Sequence, residues 1–386
     1  MKSILFYISR YPGYGGIEKV TTYLANYWSN SFNWNIHILS LEQQDLSLLN
    51  LLSKNVIFHT IPEPKELLNK KNLDCINQII DENKIEYIIY QDSYVNSHYL
   101  LKHLHNPPSI IVVEHNMPNC SIAQYKFLWH NIKLNNIKNI IAKCLYPYYL
   151  LITNIRIKKY HTELYNLSNI YVLLSKEYIP IFKEITSLSD YSKLTWINNP
   201  VTNDIITFKK VPKAKNIIFI GRLDLQKGII LLLQIWSQIE KNFPDWKLTI
   251  IGDGPQHIEV DQFINKNKLK QIRVLGFQKN INYYLDQSSI LCMTSIFEGW
   301  PLVLFEAMAR GVVPISFNSF MTAKEIIKDN YNGYIIPPFD TNLFVKRLAG
   351  LMNNPKDLIE KSNNALTTIK NYSIENISKK WETLLK

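Results

Sequence analysis

Phe297-Glu298-Gly299-Trp300-Pro301-Leu302-Val303-Leu304-Phe305-Glu306-Ala307-Met308-Ala309-Arg310-Gly311 follows the apolar run Ile290–Thr294. The run is short and continuous, the pattern of a strand buried on both faces. Gly299 permits a tight loop, Pro301 suits a first helical position, and Pro301–Ala309 then reads as a helix. Strand, loop and helix make one βα unit. The amides at such a helix start, with the positive end of its dipole, suit a phosphate. Glu298 lies in the loop and Glu306 about a turn and a half into the helix. The two carboxylates read either as acceptors for sugar hydroxyls flanking that phosphate or as solvated surface charges.

Outward from this stretch the same unit recurs. Strands are predicted at Asn216–Ile220, Lys247–Ile251, Ile272–Leu275, Val313–Ser316 and Tyr334–Ile336, with helices at Lys227–Lys241, Gln256–Asn265 and Asn342–Met352. Before them come strands at Ile4–Ser9, Ile36–Ser40, Val56–Thr60, Tyr87–Gln91, Ile110–Glu114 and Ile170–Leu174, with helices at Gly16–Ser29, Asn72–Asn83 and Asn96–His105. Strands alternating with helices imply parallel sheets. The expected fold class is α/β: two Rossmann-like, doubly wound domains facing across a cleft, with ligands beyond the carboxyl ends of the strands.

The expected boundaries are 1–198, 199–370 and a final helix in 371–386. That helix carries Ile374, Ile377, Trp381 and Leu384 at helical spacing and is expected to pack back on the first domain. A linker is expected around Asn198-Asn199-Pro200 and Lys209–Lys215. The 386 residues suit two domains of about 150–200 each. Cys75, Cys120, Cys144 and Cys292 form no CxxC pair, so a reducing compartment fits and neither a disulfide framework nor a zinc site is indicated. Ile4–Ile8 is too short for a secretory signal core, and no stretch approaches the ~20 apolar residues of a membrane span. A cytoplasmic location is expected. The net charge of +11 suggests an anionic partner, or only a biased composition.

Glycine is scarce, 12 in the chain: Gly13, Gly15 and Gly16, and then nine from Gly221 to Gly350. Where the type is rare, each survivor points to a sharp turn or a close approach. Gly221 ends the strand Asn216–Ile220 and is followed by Arg222 and Lys227, five residues apart. Arg222 offers a fork to phosphate oxygens and Lys227 a point charge; the plain alternative is two surface cations. Gly15 and Gly16 lie in the loop after the first strand, the usual place for a phosphate loop. His115 follows the strand Ile110–Glu114 and would face the cleft, either as a functional or as a structural histidine. Gly252-Asp253-Gly254-Pro255 and Gly276-Phe277 are further strand-end turns.

Taken in order, Gly221-Arg222-Leu223 with Lys227-Gly228, Ile251-Gly252-Asp253-Gly254-Pro255, Leu275-Gly276-Phe277, and Glu298-Gly299 through Gly311 resemble the retaining glycosyltransferases of family 4, the glycosyl transferases group 1, with the GT-B fold. The match runs from Asn216 to about Asp340; the first half matches only through its Gly15-Gly16 loop, His115 and the Ile170–Ser175 strand. The resemblance implies Arg222 and Lys227 on the donor diphosphate, Glu306 on the ribose and Glu298 on the sugar. It implies backbone of Gly299, Trp300, Pro301, Leu302 and Val303 at sugar or phosphate. Gly221 and Gly254 would line the donor site, Gly276 and Phe277 the base, Gly15 and Gly16 the phosphates, and His115 the sugar. His115, Glu298, Arg222 and Lys227 would be catalytic. The family implies no metal cofactor, and no Asp-x-Asp occurs in the chain. The reaction implied is transfer of a hexosyl or N-acetylhexosaminyl unit, with retention, from a nucleotide diphosphate sugar to a glycan or lipid-linked hydroxyl in envelope polysaccharide such as lipopolysaccharide or capsule. UDP-sugar is the favoured donor by family frequency.

Residues 125–161 differ most from that family. Aromatic and apolar residues mix there with Lys126, Lys133, Lys138, Lys143, Arg156, Lys158 and Lys159, and the first acid is Glu163. This suits either an anionic membrane surface, with the protein peripheral on its inner face, or an ordinary helix pair with a basic outer side. Three rivals remain: a nucleotide-sugar epimerase on the same fold, a nicotinamide oxidoreductase, and a nucleic-acid binder suggested by charge alone. The second needs G-x-G-x-x-G, but position 257 is His257. Nucleic acid is not an expected partner.

Overall fold

The computed structural model describes residues 1–91, 97–131, 137–202 and 214–386. They form two α/β units: Met1–Ile122 with Ile132–Thr202 and Ile374–Lys386, and Ala123–Asn131 with Asn203–Ser373. The first unit therefore takes residues from both sides of the second.

The first unit is built on a seven-stranded sheet of β1 (Ser3–Arg10), β2 (Asn35–Glu42), β3 (Val56–Thr60), β4 (Tyr87–Tyr90), β5 (Ser109–Glu114), β6 (Ile170–Leu173) and β7 (Leu194–Trp196). The order is β3-β2-β1-β4-β5-β6-β7 and every pair is parallel, with Ile4 opposite both Ile36 and Tyr87. The chain winds outward from β1 to β3, then restarts on the other side of β1. Helices cover both faces of such a sheet, which is why Ile4 to Ile8 are all buried and read as one apolar run.

The helix Gly16–Ser31 buries Val20, Leu24 and Trp28. Trp28 stacks on Phe6 at 5.3 Å and meets Trp34 at 5.4 Å and Trp381 at 5.7 Å between centroids. Its Nε1 donates to Ser378 Oγ at 3.0 Å. Trp381 and Ser378 belong to the last helix, Ile374–Leu384, whose Ile377 is also buried. Tyr87 OH donates to the carbonyl of Leu385 at 2.8 Å.

The second unit repeats the winding with β8 (Asn216–Ile220), β9 (Lys247–Ile251), β10 (Ile272–Val274), β11 (Ile290–Met293), β12 (Val313–Phe317) and β13 (Tyr334–Ile336). The order is β10-β9-β8-β11-β12-β13, again parallel throughout. Its core joins Ile217 and Phe219 of β8, Leu248 and Ile250 of β9, and Leu232 and Trp236 of the helix Ile229–Ile239. Each such fully buried side chain contributes about 1.5–3 kcal/mol. The α/β class and the doubly wound topology expected from the alternation of runs are what is found.

Several expectations change. The helix expected over Asn96–His105 is only His98–Leu101 among the described residues, and Asn96 lies outside them. The helix expected at Pro301–Ala309 is Leu302–Met308, with Pro301 at its cap rather than inside it, because Pro301 has extended backbone at ψ 90. Asn198, Asn199 and Pro200, expected in the linker, are buried and belong to the first unit, which runs to Thr202, and Asn198 Nδ2 donates to the Leu174 carbonyl at 2.8 Å. Of the expected stretch Lys209–Lys215, residues 209–213 lie outside the described residues. The strand β7 and the helices Tyr178–Thr186 and Pro355–Ile369 are additions.

Candidate functional site

In the second unit, the turns after β8, β9 and β10 are knitted together by backbone. Gly221 N–H donates to Ile251 O at 3.0 Å, Gly252 N–H to Gly276 O at 2.9 Å, and Leu223 N–H to Asp253 O at 2.9 Å. Gly252 has φ +136, and a Cβ there would sit 1.9 Å from the Gly221 carbonyl oxygen. A Cβ on Gly254 would sit 2.6 Å from the Leu223 carbonyl oxygen. The scarcity of glycine is thus explained at these positions by strand-end turns packed on one another. Gly276 differs: its φ is +66 and nothing lies near a Cβ there, while the following Phe277 is 55% exposed.

This knot presents Arg222. Its side chain is 67% exposed and its Nε donates to Asp224 Oδ2, while Asp224 Oδ1 accepts from the Lys227 amide at 3.0 Å. Asp224 escaped the sequence reasoning. An Asp three residues ahead of an amide it caps is a local signal that could have found it.

The loop of Lys227 is sewn to the loop after β11. Ile296 N–H donates to Gln226 O at 2.7 Å, Thr294 Oγ1 to Lys227 O at 3.1 Å, and Gln226 Nε2 to Phe297 O at 3.3 Å. Gly228, at φ +63, lets the Thr294 carbonyl come within 2.2 Å of where a Cβ would be. These bonds bring two residues far apart in sequence together: Lys227 Nζ lies 2.6 Å from Glu298 Oε1. Ser295 Oγ donates to the same oxygen at 2.6 Å. The Glu298 side chain is buried and that of Lys227 mostly so, making a desolvated ion pair.

Beyond Glu298, Thr322 Oγ1 donates to the Gly299 carbonyl at 3.1 Å, fixing the loop. Trp300 is buried, stacked on Phe305 at 4.9 Å and tilted on Tyr372 at 5.8 Å. Its ring is a prop, so any ligand contact at this position falls to backbone. Leu302 and Val303 open the helix, where the first amides have no intrahelical acceptor. Glu306 is buried on that helix.

In the first unit, Gly15 and Gly16 are exposed between β1 and the helix Gly16–Ser31. A Cβ on Gly15 would meet the Glu18 carboxylate at 2.1 Å. Burial raises the Glu18 pKa, and its own amide donates to it. Glu18 therefore already faces the loop expected to take phosphate.

His115 follows β5 and is buried, with no hydrogen-bond partner for Nε2. Burial pulls its pKa down to about 4, so the ring is neutral at pH 7. The same loop is anchored by His161, which the sequence reading missed. His161 Nε2 meets the Pro118 carbonyl at 2.9 Å, and Nδ1 lies 3.0 Å from Tyr171 OH and 3.7 Å from Glu114 Oε2. A carbonyl only accepts, so Nε2 carries the hydrogen, and in the neutral ring Nδ1 accepts from Tyr171. Burial holds His161 near about 4. Glu114 Oε1 in turn accepts from the Asn116 amide at 3.1 Å.

Residues 202–371, a little under half of the chain and most of the second unit, match the family model of the glycosyl transferases group 1. The chain is 30% identical over 185 residues, 47% of its length, to the GalNAc-alpha-(1->4)-GalNAc-alpha-(1->3)-diNAcBac-PP-undecaprenol alpha-1,4-N-acetyl-D-galactosaminyltransferase of Campylobacter jejuni. It is 30% identical over 229 residues, 59% of its length, to the amylovoran biosynthesis glycosyltransferase AmsD of Erwinia amylovora. The matches span 51% and 59% of those two proteins, about half the length of the curated relatives. Among solved structures, Anabaena HepE in complex with UDP and glucose superimposes with a TM-score of 0.75 at 14% identity, over 99% of both chains. That likeness shows the fold, GT-B.

Proposed function

We propose that the protein is a retaining glycosyltransferase. It moves a hexosyl or N-acetylhexosaminyl unit from a nucleotide diphosphate sugar, UDP-sugar first, to a hydroxyl of a glycan or lipid-linked acceptor in envelope polysaccharide synthesis. The observation that carries this reading is the Lys227–Glu298 pair at the carboxyl ends of β8 and β11, inside the domain that matches the family. The Campylobacter relative names a lipid-linked acceptor, AmsD a polysaccharide, and the HepE structure holds UDP.

In this reading the diphosphate takes Lys227 from Glu298, and Arg222 closes on the same phosphates. Glu298, relieved of its cation, accepts hydrogen bonds from donor-sugar hydroxyls, and Glu306 from the ribose. His115 Nε2, neutral and unpartnered, meets the sugar. The bond from the anomeric carbon to the phosphate oxygen breaks with its electron pair leaving on the phosphate. Lys227 and Arg222 stabilise that charge. The acceptor oxygen bonds to the same face of the carbon, and its proton passes to the departing phosphate oxygen. No metal ion takes part, so chelation by EDTA leaves the rate unchanged. Work on lipid-linked acceptors places the protein at the cytoplasmic membrane surface, with 125–161 the candidate contact; among the described residues no helix is long and apolar enough to cross it.

The deciding experiment incubates the protein with UDP- and GDP-sugars and envelope glycan or lipid-linked acceptors, and reads products by mass spectrometry. Sugar on the acceptor with nucleoside diphosphate released supports transfer. Epimerised nucleotide sugar without acceptor modification overturns it.

A further inference from the structure

The helix Ile137–Leu167 is the longest of the described elements, and its two sides have different surroundings. Toward its end it is anchored: His161, Leu164 and Tyr165 are buried in the first unit, and Glu163 lies 3.1 Å from Lys102 Nζ. Earlier, Ile140, Ile141, Leu145, Tyr148, Leu151 and Ile155 are between 42 and 60% exposed. At 100° per residue these six fall within one arc of the helix. They form a continuous apolar stripe roughly 22 Å long. Leu150, Ile152 and Ile157 are half-buried, so the sequence is apolar on nearly every side and only the exposure singles out the stripe.

The stripe ends in charge. Lys158 and Lys159, the next residues on the same arc, are exposed, as is Arg156 beside them. Lys159 Nζ lies 3.8 Å from Glu163, the first acid in the chain after Glu114. Phe127, also within 125–161, is not part of this surface: its ring lies 5.3 Å from Phe339 in the second unit. Ile132 and Lys133 lie outside the described residues.

We propose that this stripe lies in the headgroup region of an anionic lipid bilayer, with Arg156, Lys158 and Lys159 on the lipid phosphates. An apolar face that passes into a cationic end, where Lys159 alone of the three cations has an acid nearby in Glu163, is complementary to a bilayer, which is apolar inside and anionic at its rim. A second copy of the chain is a poorer fit. It would bring the same cations to a shared interface, and from His115 to Thr162 it has no carboxylate to offer them. The proposal rests on the membrane part of the reading above but not on sugar transfer.

The test is flotation of the full chain with vesicles of phosphatidylcholine plus phosphatidylglycerol, and with phosphatidylcholine alone, with UDP binding by calorimetry on the same samples. The protein is expected to float with the anionic vesicles and to be released by salt. Tyr148→Glu with Ile155→Glu is expected to lower partition by about tenfold or more with UDP affinity unchanged. Leu145→Ser with Leu151→Ser does the same where the glutamates disturb folding. Wild-type protein that stays soluble, or variants that float equally well, overturn the docking while leaving the transferase reading standing. A dimer dissolved by Tyr148→Glu, without vesicle binding, overturns it in favour of a second copy. Flotation without UDP binding leaves the docking and overturns the function.

Discussion

One carboxylate oxygen of Glu298 holds both Lys227 Nζ and Ser295 Oγ, each at 2.6 Å. A diphosphate that needs Lys227 must compete with that oxygen. Glu298→Gln keeps the shape and removes the competitor. UDP without sugar is therefore expected to bind Glu298→Gln several-fold more tightly, while Lys227→Ala loses roughly 10–100-fold, the worth of one charge-assisted hydrogen bond. Transfer falls in both. Calorimetry with UDP decides it; weaker UDP binding by Glu298→Gln would show that the pair does not restrain the cation.

The glycines of the knot should separate by cause. Gly252→Ala forces a Cβ onto the Gly221 carbonyl and is expected to cost more than about 4 kcal/mol, enough to leave the second unit unfolded. Gly276→Ala meets open space and carries only the left-handed backbone penalty of about 1–2 kcal/mol. Denaturant melts of the two variants provide the comparison, and equal losses would contradict it.

His115 and His161 are both pulled by burial from an ordinary 6.5 to about 4. Each binds its proton more readily unfolded than folded. Their contribution to stability is thus full above pH 6.5 and is lost as pH falls toward 4. The loss is on the order of 3 kcal/mol for each fully buried ring. Thermal melts between pH 7 and pH 4 are expected to show the first unit destabilised by acid. In His161→Gln that pH slope should become shallower; an unchanged slope would remove His161 from the account.

Trp381→Ala removes the ring that covers Trp28 and should cost about 3–5 kcal/mol, the scale of an emptied aromatic site. Tryptophan fluorescence during unfolding would follow it. A loss below about 1 kcal/mol would mean that the last helix is merely draped on the surface.

The topology was legible because buried parallel strands must be apolar throughout. Asn216–Ile220, Lys247–Ile251 and Tyr334–Ile336 therefore stand out residue for residue. Leu194–Trp196 did not, since three half-buried residues on a sheet edge leave no run to read. Arg222, Lys227, Glu298 and Glu306 could be picked out by their places after strands. Their pairing could not, because Lys227 meets Glu298 only through the stitching of Gln226 to Ile296 and Phe297. Gly254 looked like a ligand turn, and its first duty proves to be the close passage of Leu223. His161 carried no local signal, for its partners Pro118, Glu114 and Tyr171 lie on three other segments.

The return of Ile374–Lys386 to the first unit bears on how the protein is made. Translation delivers Trp28 before the second unit, while Ser378 and Trp381 emerge only after it. Until then the nascent first unit has an uncovered indole and an unanswered N–H. The second unit, whose strands β8 to β13 come from one uninterrupted stretch, can close while still tethered. The first unit is thus completed after the second, and in the interval its bare patch is apolar surface open to misassociation.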